Sequence, residues 1–118
     1  MNSFIKLLVQ DASRSAVFYE TLGFERVSVE PPFIHLRWAD AIDVYLVTPP
    51  PGLTLEGQRG LGTLLGFRTP APTGVDDVLL RAQSLGAHVD GPSVQPWHTR
   101  EVIVTDPDGY RLNFIEPA

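Results

Sequence analysis

The chain has 118 residues, 43% hydrophobic and 19% charged, with no cysteine and a formal net charge of −5, the composition of one compact globular domain with a modest core. The missing thiols exclude disulfides, thiolate metal sites and a cysteine nucleophile. Eight arginines and one lysine are scattered without a basic cluster, so nucleic acid is not an expected partner, and the mild acidity serves solubility more than steering.

In chain order, residues 4–10 read as the first strand. The apolar run is interrupted by Lys6, follows no basic region and is far too short to span a bilayer, so it is neither signal nor anchor. The cytoplasm is the expected compartment, and a membrane is not an expected partner. Asp11 or Ser13 can cap a helix that turns Ala16, Tyr19 and Leu22 to the core, and Gly23 supplies its stop. Strands are expected at 24–30, 33–38 and 42–48, the last two joined by a short turn through Ala39, Asp40 and Ala41.

The stretch from Pro49 to Gly62 holds three consecutive prolines and four glycines and reads as a linker. Its glycines lack the Lys and Ser or Thr of a phosphate loop. A second module then begins with a strand at 63–69. Thr73 and Asp76 have capping-box spacing at the head of a helix, whose apolar face is Val75, Val78, Leu79, Ala82 and Leu85. After Gly86, strands are expected at 87–94, 100–105 and 110–116.

The helix-to-strand junction at Leu22 and Gly23 thus recurs at Leu85 and Gly86, about half a chain later. Two short βαβββ units, each small for a core of its own, make one α+β domain over 1–118, with module one at 3–48 and module two at 63–118. Asp106, Pro107, Asp108 and Gly109 have the order of a type I turn, so these carboxylates read as turn formers and not catalysts. His35, His88 and His98 lack the spacing of a local metal clip, and no GxSxG nucleophile elbow is present.

The segments SAVFYETLGFE from Ser15 and PWHTREVIVTDPDGYRLNFIEP from Pro96, set in the twofold βαβββ pattern, resemble the vicinal oxygen chelate superfamily of glyoxalases, bleomycin-resistance proteins and dioxygenases. The resemblance implies two modules forming a curled mixed sheet around a cup, commonly in a homodimer that can swap modules. Metal-dependent members carry four His or Glu ligands, and the matching positions here are Phe4, Tyr45, Leu64 and Asn113. None suits a divalent ion, so no metal and no cofactor is expected.

Strand alternation assigns Phe4, Lys6 and Leu8, then Asp43, Tyr45 and Val47, to the cup. In module two it assigns Leu64, Gly66 and Arg68, then Glu101 and Ile103, then Arg111, Asn113 and Ile115. Trp38 is expected in the core, while Trp97 is open to either role. Phe4 and Tyr45 are read as rings on facing modules that sandwich a planar ligand. Arg37, Arg68, Arg111, Asp43 and Glu101 are available to orient polar groups.

The expected ligand-binding set is therefore Phe4, Arg37, Tyr45, Leu64, Trp97, Glu101, Arg111 and Asn113. PWxxRE resembles the bleomycin-resistance branch, which implies a metal-free protein that sequesters an aromatic or amphipathic compound, antibiotics included. The rival is a lyase, isomerase or hydrolase working without the usual metal, with His35, Glu101 or Tyr45 as acid or base. A third reading is a structural or regulatory domain with a closed cup.

Overall fold

The structure, a computed structural model, describes residues 3–57 and 59–118. Gln58, within the expected linker, lies outside the described residues, as do Met1 and Asn2. The chain divides into two units, Met1–Gly57 and Gln58–Ala118.

The first unit runs β1 (Phe4–Leu8), α1 (Ala12–Leu22), β2 (Glu25–Glu30), β3 (Phe33–Trp38) and β4 (Ile42–Val47). Its sheet has the order β1-β4-β3-β2, with β1 parallel to β4 and the other pairs antiparallel. The second unit repeats the path with β5 (Leu65–Arg68), α2 (Val75–Ser84), β6 (Val89–Val94), β7 (Thr99–Thr105) and β8 (Arg111–Pro117). Its order is β5-β8-β7-β6, and again one pair, β5 with β8, is parallel. Each unit is thus a βαβββ module with a mixed sheet, as the sequence pattern implies.

Local sequence explains most element ends. Asp11 caps α1, its Oδ1 accepting from Arg14 N at 3.0 Å, which satisfies one orphan donor of the first turn. Gly23, at φ 122°, ends the helix as Phe24 N donates back to Tyr19 O. The head of α2 differs from expectation. Gly74 is its N-cap and offers no side chain; instead Glu116 Oε1 of β8 accepts from Val75 N at 2.7 Å. A carboxylate at the positive end of the helix replaces the local capping box, and Arg100 bridges Glu116 to Asp76 at 3.5 and 2.8 Å.

Each helix covers one face of its own sheet. In the first unit Ala16, Phe18, Tyr19 and Leu22 are buried, as are Ile34, Leu36, Trp38, Val44 and Leu46 of β3 and β4, on which α1 packs. Trp38 lies 4.8 Å from the Phe24 ring and is core, as expected. In the second unit Val75, Val78 and Ala82 of α2 are buried with Phe67, Val102, Val104, Leu112 and Phe114. Burial of each such large side chain contributes about 1.5–3 kcal/mol. Burial alternates along β3 from Phe33 to Trp38, so every second residue is left on the face without a helix.

The turn of residues 106–109 joins β7 to β8 as expected. Asp106 Oδ1 accepts from Asp108 N at 2.9 Å and from Tyr110 N at 2.8 Å, and Gly109 N donates to Asp106 O. Asp106 and Asp108 are buried, and Asp108 pairs with Arg59. The Asp106 carboxylate is thereby committed to the turn, and that of Asp108 to the ion pair with Arg59.

Candidate ligand-binding faces

On the helix-free face of the first sheet, the strand register sets three rows of side chains. Phe4 aligns with Asp43 and Arg37, Lys6 with Tyr45 and His35, and Leu8 with Val47 and Phe33. The centre of this array is Tyr45. His35 stacks on its ring at 4.4 Å, while Phe33 and Phe4 meet it edge-on at 5.4 and 5.7 Å. Phe4 is 56% exposed, and the Lys6 ammonium lies 5.7 Å from its centroid.

Phe4 and Tyr45 therefore do not face each other from different modules. They are neighbours on one sheet, because β1 and β4 pair in parallel within the first unit. Their edge-to-face contact forms one aromatic surface, and a sandwich between these two rings is ruled out.

Asp43 anchors the polar corner of that surface. It accepts from Arg37 Nε at 2.9 Å, and His35 Nε2 lies 2.8 Å away. A carboxylate only accepts, so Nε2 carries the proton. The hydrogen bond from His35, then that from Arg37, holds the Asp43 carboxyl below its usual range, and Asp43 in turn raises Arg37.

The second sheet carries a different polar group on its corresponding face. Glu101 Oε2 accepts from Trp97 Nε1 at 2.9 Å and from Thr99 Oγ1 at 2.5 Å, and Oε1 accepts from Asn113 Nδ2 at 3.0 Å. Thr99 first, then Asn113 and Trp97, keep the Glu101 carboxyl below the ordinary value. Asn113 is buried, whereas Trp97 is 63% exposed.

The expected set therefore divides in two. Phe4, Tyr45 and Arg37 lie on one sheet; Trp97, Glu101 and Asn113 form one hydrogen-bonded group on the other. Arg111 instead lies 3.8 Å from Asp90, and Leu64 precedes β5 as an exposed apolar residue. Thr99 was missed by sequence reasoning, although its i, i+2 spacing from Glu101 puts both side chains on one strand face. The rings of Phe33 and His35 belong to the Tyr45 cluster for the same reason.

The four positions where the superfamily's metal-dependent members carry ligands do not fit a divalent ion here. Phe4 and Leu64 offer hydrocarbon, Tyr45 is enclosed by rings, and the Asn113 amide nitrogen is committed to Glu101. Among the described residues no three His, Cys, Asp or Glu side chains gather into a metal-holding group.

Paired βαβββ units, each with an open polar and aromatic sheet face, define a small α+β protein of the vicinal oxygen chelate type. The chain matches the Glyoxalase/Bleomycin resistance protein/Dioxygenase superfamily over residues 3–114 and belongs to it. It is similar to a glyoxalase/bleomycin resistance protein from Streptomyces sp. CB03234, at 28% identity, TM-score 0.74, and coverage of 98% of this chain and 100% of that one. TnmS3, an antibiotic binding protein from the same Streptomyces, is also 28% identical, with TM-score 0.76 and coverage of 100% and 96%. A bleomycin-binding protein solved with bleomycin shares the fold at 21% identity, TM-score 0.74, and coverage of 100% and 99%. No curated protein matches the chain. No helix among the described residues is long and apolar enough to cross a membrane.

Proposed function

We propose that this protein binds an aromatic or amphipathic small molecule of the antibiotic kind, without a metal ion, and releases it chemically unchanged. The observation that carries this reading is the cluster of Phe4, Phe33, His35 and Tyr45 on the helix-free face of a sheet, with Phe4 more than half exposed. An exposed ring, backed by a ring cluster and set beside fixed polar groups, is the recognition chemistry of a planar ligand. The likeness to an antibiotic binding protein supports the same reading.

The electrostatics favour capture over catalysis. A general acid at neutral pH must hold a proton, and an efficient base has a pKa near the operating pH. Asp43 and Glu101 are both held below the ordinary carboxylate range.

Thermal shift against planar aromatic antibiotics, followed by mass analysis of each bound compound, tests the proposal. Recovery of an unaltered ligand supports it; a product of altered mass overturns it in favour of an enzyme. Phe4→Ala and Tyr45→Ala should each weaken binding roughly threefold to tenfold, since an aromatic contact contributes about 0.5–1.5 kcal/mol beyond area burial. Unchanged affinity in both would remove the aromatic mechanism. Elemental analysis showing about one divalent ion per chain after dialysis would remove the metal-free part. Membership of the superfamily also supports a homodimer, for which light scattering should read twice the 13.0 kDa chain mass.

A further inference from the structure

Glu101 is a carboxylate without a cation. Its three partners, Trp97, Thr99 and Asn113, are neutral donors, and no Lys, Arg or His among the described residues pairs with it. Neutral donors hold a negative charge in place but leave its field uncompensated.

The second observation is Asn113. Because the carboxylate can only accept, the amide must turn its nitrogen toward Glu101, which forces Oδ1 the other way. There Oδ1 finds no donor, although the residue is only 8% exposed. Leaving such an acceptor orphaned costs about 1–3 kcal/mol, a penalty that a donor from outside the chain removes. Across the sheet Asn113 pairs with Gly66, where an added Cβ would meet only Ile115 Cδ1, at 3.8 Å.

The third observation is the indole of Trp97. Its N–H is fixed to Glu101, while the residue remains 63% exposed and stacks on no other ring among the described residues. An open indole face next to a carboxylate attracts a cation by its quadrupole as well as by charge.

We propose that Glu101, Asn113 and Trp97 form an ammonium subsite, so that the ligand is an aromatic compound bearing a protonated amine. The ammonium lies against the Trp97 face and donates to Glu101, and a small rotation of the Asn113 amide brings Oδ1 to a second N–H. This rests on the binding reading above and deepens it by naming the charged substituent. Arg111 lies on the same face but near Asp90 at 3.8 Å, and Arg68 is two strands from Glu101, across Ile115. Both disfavour further positive charge, so the subsite suits a single ammonium.

Titration calorimetry at pH 7 with 2-naphthylmethylamine and its neutral counterpart 2-naphthylmethanol tests the subsite. The amine should bind at least about tenfold more tightly than the alcohol, or about 1.4 kcal/mol. Glu101→Gln should bring the two within about twofold of each other, and Trp97→Leu should weaken both. Circular dichroism checks the fold of each variant. Equal affinities for the parent protein, or an undiminished preference in Glu101→Gln, overturn the ammonium subsite. Alcohol binding without amine preference leaves the aromatic reading standing, whereas no binding of either compound at millimolar concentration counts against both.

Discussion

The two units follow the same chain path yet treat the carboxylate on the helix-free face in opposite ways. In the first, Asp43 is the cross-strand partner of Arg37 and lies beside His35. In the second, the cross-strand partner of Glu101 is Ile115, and only neutral donors reach it. The topology fixes where a side chain stands, but its neighbours in register decide whether its charge is spent within the fold or remains for a ligand. The hairpins before the last strand of each unit diverge as well. The first places Ala39 and Asp40 at φ 50° and 54°, while the second uses the Asp106 side chain and a glycine.

The largest expected effect tests whether both units depend on the same core position. Leu46 and Phe114 are fully buried on the corresponding strands β4 and β8. Phe114→Ala should cost about 3–5 kcal/mol and Leu46→Ala about 2–5 kcal/mol, read from the shift in urea midpoint. A loss under about 1 kcal/mol at either site would show that the position is not core in that unit.

The carboxylate contrast is sharpened by Asp43→Asn, placed beside Glu101→Gln in the same calorimetry. Asp43 is already neutralised by Arg37, so its loss should leave the amine-to-alcohol preference within about twofold of the parent. A tenfold fall in Asp43→Asn would mean that the cation is read by the first unit, and the comparison would be inverted.

Acid titration separates the same two groups by stability. Both folded pKa values are depressed, so each contribution is present above the unfolded value and lost as pH falls through the lowered folded one. The unfolded references are 4.5 for Glu101 and 3.8 for Asp43. Near neutral pH both contributions are fully present, so melting temperature should not change with pH on account of either group there. Glu101→Gln should flatten the acid limb from a higher pH than Asp43→Asn does. Indistinguishable acid limbs for parent and variants would show that neither carboxylate is stabilised by folding.

The smallest expected effect lies in the first hairpin. Ala39 adopts a left-handed φ that costs an L-residue about 1–2 kcal/mol, partly offset by the greater chain entropy that glycine loses. Ala39→Gly should raise stability by about 0.5 kcal/mol, measured by chemical denaturation. A decrease would mean that the turn is held by contacts stronger than its own backbone preference.

Local pattern alone determined the twofold βαβββ path, a helix cap at Asp11 or Ser13, the Gly23 stop, the Trp38 core position and the 106–109 turn; the structure takes Asp11 as the cap. Each rests on residues close in sequence, where periodicity and backbone preference act directly. The same alternation put Phe4, Tyr45, Glu101 and Asn113 on helix-free strand faces. Tertiary structure decided the rest. Glu116, not Thr73, satisfies the head of α2, because a carboxylate more than forty positions away in sequence is folded against it. Phe4 and Tyr45 proved to share one sheet because parallel pairing of β1 with β4 is a long-range choice. The bond from Trp97 to Glu101, the orphaned Asn113 oxygen and the neutralisation of Asp43 depend on cross-strand register and side-chain rotamers. Those are set by packing across the sheet, which the order of residues along one strand does not specify.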